Sequence, residues 1–75
     1  MIPPKTIDYV QDTVGENLIV EYKNERLFIT ADDVVEARLD QQQLTLIQEI
    51  GFQFEAIQFT GSVTEMVFVP NGRLQ

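Results

Sequence analysis

The chain has 75 residues, a net charge of −7, and neither cysteine nor histidine, a composition that predicts one small acidic domain. The missing residue types exclude disulfides, thiolate nucleophiles, and the commonest general base and metal ligand. The negative charge disfavours direct binding to nucleic acid or anionic lipid, and it favours a basic protein partner over an acidic one.

The first predicted element is a helix over residues 5–14, preceded by a short arm at residues 1–4. Its apolar side chains recur at helical spacing and form one stripe: Ile7, Val10 and Val14. Gly15 suits the position after the last helical turn, where a left-handed backbone is common.

A hairpin is predicted next, with strands over residues 18–22 and 27–30. A two-residue loop at Asn24 and Glu25 pairs Tyr22 with Leu27. The same register pairs Val20 with Ile29, which gives this hairpin one coherent apolar face.

Residues 31–50 have a helical pattern that is either one helix or two. Thr30 is the expected cap at its start. A break is expected at Asp40, which forms a capping-box sequence with Gln43. The residues expected to face the core are spaced by three: Leu44, Ile47 and Ile50. Gly51 is expected to end the helix.

A second hairpin is predicted over residues 52–69, with Gly61 and Ser62 in a type II′ turn. Uninterrupted pairing would place Phe54 opposite Val69, and the apolar surface would then cross from one face to the other partway along. Three interpretations stay open. A bulge near Ala56 and Ile57 could restore one buried face, the sheet could be covered on both sides, or the second face could contact another molecule.

The resulting fold prediction is an α+β domain over residues 1–75, with a frayed tail at 71–75. The element order is α-β-β-α-β-β, and we expect a four-stranded, mainly antiparallel sheet with the helices packed on one face. Short similarities at a spacing of 37 residues, such as Val20-Glu21-Tyr22 and Ile57-Gln58-Phe59, allow either a duplicated α-β-β unit or chance.

Catalytic, cofactor and metal sites are not indicated by any motif. Ser62 has no histidine to activate it, and the four glycines are scattered rather than gathered in a phosphate loop. We therefore expect no enzymatic activity and no cofactor. Because no segment resembles a signal peptide or membrane span, a cytoplasmic protein without membrane association is expected.

The functional hypothesis is a small acidic protein-interaction or regulatory module that binds a protein partner. The expected interface lies on the uncovered face of the second hairpin and comprises Ile57, Phe59 and Met66, with Phe68 and Phe28 as weaker candidates. One alternative is a structural homo-oligomer, with a homodimer as the expected form, in which the apolar hairpin face completes a shared core. Another is an acidic nucleic-acid mimic that blocks a DNA-binding protein through its carboxylates: Asp8, Asp12, Asp32, Asp33, Glu36 and Asp40.

Overall fold

Two helices and four strands are present in the computed structural model, which describes residues 4–32 and 37–72. Their bounds are α1 (Pro4–Val14), β1 (Ile19–Lys23), β2 (Arg26–Ala31), α2 (Gln41–Glu49), β3 (Phe52–Thr60) and β4 (Val63–Pro70). The α+β class and the predicted order α-β-β-α-β-β are confirmed.

The four strands form one antiparallel sheet in the order β1-β2-β4-β3. The first hairpin has the predicted register, with Tyr22 opposite Leu27 and Val20 opposite Ile29. Its turn residues Asn24 and Glu25 both have positive φ, 52° and 63°, as a type I′ turn requires. Strands β2 and β4 are central, so β1 and β3 are the two edges of the sheet.

The predicted helix start at Thr30 is wrong. Thr30 lies in β2, where it pairs with Ile19 of β1 and with Glu65 of β4. Its backbone therefore joins the sheet ladder, and this tertiary pairing overrides the local capping signal. Residues 33–36, also part of that prediction, lie outside the described residues.

Helix α2 begins where the capping box was predicted. The Gln43 backbone N–H donates to Asp40 Oδ1 at 2.8 Å, and the Asp40 backbone N–H donates to Gln43 Oε1 at 2.9 Å. Ile47 is fully buried, and Leu44 and Ile50 pack against the core. The predicted core face of this helix is confirmed.

The core lies between one face of the sheet and both helices. Val10 and Val14 of α1 and Ile47 of α2 belong to the same buried cluster as alternate residues of the strands. The strand residues of this cluster are Val20, Leu27, Ile29, Ala31, Phe52, Met66 and Phe68. Because successive strand residues point to opposite faces, the helices cover the face that carries these side chains.

A β-bulge interrupts the second hairpin at Glu55. Phe54 pairs with Phe68 and Ala56 pairs with Val67, so Glu55 is the extra residue. The predicted bulge is present, one position earlier than Ala56 and Ile57. Because it adds one residue, Phe54 and Ile57 point to the same face although they are three positions apart.

The predicted arm and tail fall largely on residues 1–3 and 73–75, which lie outside the described residues. Pro4 is the first residue of α1. Asn71 is anchored after β4: its backbone N–H donates to the Gly51 carbonyl at 2.9 Å, and its side-chain amide donates to the carbonyls of Gln48 and Phe52.

Several matching positions of the two halves of the chain are separated by 37 residues. Pro4 and Gln41 begin the two helices, and Arg26 and Val63 begin the second strand of each hairpin. The central pair of the β2–β4 register, Ile29 opposite Met66, has the same offset. This offset is the one expected for a duplicated α-β-β unit, but Ile19 and Phe52, which begin β1 and β3, do not share it, and the bulge in β3 has no counterpart in β1.

The side chain of Gln11 joins α1 to the start of β1. Its Nε2 donates to the carbonyls of Gly15 (2.8 Å) and Leu18 (2.6 Å), and its Oε1 accepts from the Val20 N–H at 3.2 Å. We expect Gln11→Ala to lower the free energy of unfolding by about 1–3 kcal/mol, because partly buried backbone groups lose their partners. Urea denaturation measures this. The exposed Gln42 provides a control: Gln42→Ala should change stability by less than about 0.5 kcal/mol, and equal effects would contradict the role of Gln11.

Candidate functional site

Three large apolar side chains of β3 are exposed on the face of the sheet that the helices cover. Phe54 is 45% exposed, Ile57 44% and Phe59 69%. Ile57 lies opposite the core residue Met66, which establishes the face, and the bulge brings Phe54 to the same side. We call these three side chains the β3 patch.

A groove of about 300 Å³ separates the β3 patch from α2 and from the segment before it. Phe54 and Ile57 form one wall, and Leu44 and Gln48 of α2 form the other. The rest of the lining is Ala37, Arg38, Leu39 and Met66. The groove is therefore apolar, with a single cationic side chain at its margin.

The corresponding residues in the first half of the chain are covered by other side chains, whereas those of the β3 patch are exposed. The residues 37 positions before Ile57 and Phe59 are Val20 and Tyr22. Val20 is buried in the core, and the Tyr22 ring packs edge-on against Phe52, with centroids 6.1 Å apart. Both positions are thus more buried in the first half than in the second.

The five predicted interface residues do not form one exposed surface in the structure. Met66 and Phe68 are 3% and 1% exposed and belong to the core. Phe28 is half-buried on the opposite face, with the Lys23 ammonium 5.1 Å from its ring centroid. Only Ile57 and Phe59 are exposed.

The expectation that Ile57, Phe59 and Met66 lie on the uncovered face of the sheet is wrong. Met66 pairs with Ile29 of the buried cluster, so the face shared by these residues is the one that carries the helices. Alternation within one hairpin shows which side chains share a face. The side on which the helices pack depends on how the two hairpins join.

Phe54 is the member of the β3 patch that the sequence interpretation did not include. Its ring packs edge-on against Phe68, with centroids 5.6 Å apart. Uninterrupted pairing placed it beside Val69, on the other face. A bulge assigned to Glu55, the one charged residue in this strand, would have placed it beside Ile57.

The rest of the described structure offers little chemistry. In residues 4–32 and 37–72, no three carboxylates converge as a metal site would require, and no buried side-chain nitrogen or oxygen lacks a hydrogen-bond partner. A hollow of about 460 Å³ lies between the end of α1 and the start of β1. The Gln11 amide beside it is already bonded to backbone groups.

The carboxylates proposed for nucleic-acid mimicry lie on three parts of the fold. Asp8 and Asp12 are on α1, Asp32 follows β2, and Asp40 caps α2. Asp33 and Glu36 fall outside the described residues. Neither of the helices described has the length and apolar character needed to cross a membrane.

The β3 patch is thus the feature that hydrogen bonding and core packing leave unexplained. Comparison of the chain with protein-family models, with curated proteins and with solved structures gave no match.

Proposed function

We propose that this protein is a small acidic binding module that acts by contacting another protein through the β3 patch. The observation that supports this proposal is that Phe54, Ile57 and Phe59 are exposed side by side on one face of β3. Single exposed apolar residues are ordinary on a protein surface, whereas a contiguous apolar group beside a groove is typical of a binding surface. Aromatic side chains of this kind are frequent interface anchors.

The charge of the chain supports a basic partner. A net charge of −7 attracts a cationic protein over several ångströms and disfavours an acidic one. Glu55, in the same strand as the patch, is exposed and is suited to a polar rim around the apolar anchors. The module is proposed to occupy a partner surface, with no chemistry of its own.

The test is the variant Phe59→Glu, used as bait in a lysate of the cells that produce the protein. We expect the variant to keep the fold, because the Phe59 side chain is 69% exposed, and to lose a bound protein that the wild type retains. A charged side chain at an apolar anchor typically weakens binding by 2 kcal/mol or more, about thirtyfold. Circular dichroism and the thermal unfolding midpoint monitor the fold.

Ile19→Glu provides the matched control. Ile19 is 59% exposed and lies in β1, the opposite edge strand. The same apolar-to-acid change there should leave the captured protein unaffected. Equal capture by wild type, Phe59→Glu and Ile19→Glu would overturn the proposed binding surface. Unfolding of Phe59→Glu would show instead that Phe59 supports the core.

A further inference from the structure

We infer that two copies of this chain pair through the free edge of β3, so that both contribute Ile57 and Phe59 to one shared apolar floor. This inference rests on the proposed role of the β3 patch, and it identifies a second copy of the chain as the molecule that lies beside the patch. Among the described residues, strand β3 pairs only with β4, so on its other side the N–H and C=O groups have no strand partner there.

The two edges of the sheet differ in their protection against such pairing. Edge strands are usually protected by shortness, charge or a bulge. β1 has five residues, including the charged Glu21 and Lys23. β3 has nine residues, and its one charged residue, Glu55, is also its bulge. Protection of β3 is thus confined to its first half, and residues 56–60 form a regular, uncharged edge.

The hydrogen-bond pattern of the hairpin determines which backbone groups are available. Gly61 has φ 62°, and Thr60 and Val63 flank the two-residue loop as partners. In such a hairpin the flanking pair exchanges both hydrogen bonds, and the pattern alternates along the strand. The N–H and C=O groups of Ile57 and Phe59 therefore point away from β4.

One antiparallel register uses all of these groups. If a two-fold axis passes beside Gln58, Ile57 lies opposite the partner's Phe59, and the reverse pair follows by symmetry. Each pair exchanges two backbone hydrogen bonds and brings a branched aliphatic side chain beside an aromatic one, a favourable cross-strand combination. Gln58 lies opposite the partner's Gln58, so no like charges meet.

The extended sheet makes the binding surface larger. The side chains of Ile57 and Phe59 stay on the helix-bearing face, so the two copies place four apolar side chains between their two α2 helices. The β3 patch exposes roughly 300 Å² per chain, taking a full aromatic side chain as about 200 Å². Even if both patches were fully buried, their roughly 600 Å² would be well under half of a standard stable interface of about 1,600 Å², and we therefore expect a reversible dimer.

Ionic strength distinguishes a second copy from a basic partner at this edge. Two chains that each carry −7 repel one another, and added salt screens that repulsion. Self-association should therefore strengthen as salt concentration rises. Binding of a basic protein should weaken under the same change.

The test combines molar mass with a single engineered cysteine. Light scattering after size exclusion should show the mass rising towards twice the monomer between micromolar and millimolar protein. The chain has no cysteine, so Gln58→Cys gives one thiol at the inferred two-fold axis. Opposed residues at a non-hydrogen-bonded position suit disulfide geometry, and this variant should oxidise readily to a covalent dimer.

Gln53→Cys is the matched control, since Gln53 is another exposed glutamine of β3. In the inferred register its two copies lie about 30 Å apart, and we expect oxidation at least about tenfold slower than for Gln58→Cys. A monomeric mass at millimolar protein, or equal oxidation of the two variants, would overturn the inference. Thermal unfolding of both reduced variants verifies that they are folded.

The outcomes also separate this inference from the proposed function. A monomer that still loses its captured protein on Phe59→Glu would refute the pairing and leave the binding module standing. A dimer linked at position 58 that captures no protein would refute the module, and its function would then be assembly, as in a structural homodimer.

Discussion

Phe68→Ala is expected to destabilise the protein by about 3–5 kcal/mol, the usual cost of removing a fully buried aromatic ring. Phe68 is 1% exposed in the central strand β4, pairs with Leu27 and Phe54, and contacts the Phe54 ring. A domain of this size has roughly 4–11 kcal/mol of total stability. The variant should therefore be marginally folded or unfolded at room temperature.

Phe54→Ala is the comparison that isolates burial, because Phe54 is the neighbouring ring and is 45% exposed. We expect it to cost no more than about 2 kcal/mol, since less apolar area returns to water. Urea denaturation followed by circular dichroism measures both variants. If Phe68→Ala unfolds at the same urea concentration as wild type, Phe68 is not a core residue and its assignment to the interface would be restored.

Deletion of Glu55 is expected to have a comparably large effect, because it removes the bulge and not just a side chain. With regular pairing through β3, Phe52 and Phe54 would turn to the opposite face of the sheet. Phe52 is fully buried and packs against Tyr22. Its loss from the core should cost about 3–5 kcal/mol, as for truncation of a buried aromatic residue.

Glu55→Ala is the matched control, since it removes the exposed carboxylate and keeps the residue count of the strand. We expect its effect on stability to stay within about 0.5 kcal/mol. Thermal unfolding compares the deletion, the substitution and the wild type. Wild-type stability of the deletion variant would mean that the strand can shift its register without losing core contacts.

Local patterns were sufficient to predict most of the secondary structure. The loop at Asn24 and Glu25 and the turn at Gly61 each determine a hairpin register, because a two-residue loop leaves one way to pair its flanking strands. The capping box of Asp40 and Gln43 likewise marks a helix start through contacts within three residues. The prediction failed at Thr30, where backbone pairing to a distant strand replaced the local cap.

The candidate site depended on contacts between distant parts of the chain. Ile57 and Phe59 could be identified as neighbours on one face from alternation alone. Their exposure could not be predicted, because it depends on where α2 lies against the sheet. The assignment of Met66 and Phe68 to the interface failed for a similar reason. Pairing of β4 with β2 places both side chains in the core, and this pairing is not visible within the second hairpin.

The sequence by itself determined the α+β class, the order of the six elements, both turns and the acidic character of the surface, because each follows from composition or from residues close together in the chain. Only the tertiary structure decided the strand order, the face on which the helices pack, the residue that bulges and the exposure of the β3 patch. These depend on which apolar surfaces of the two halves are buried against one another, and that free energy is a property of the whole fold.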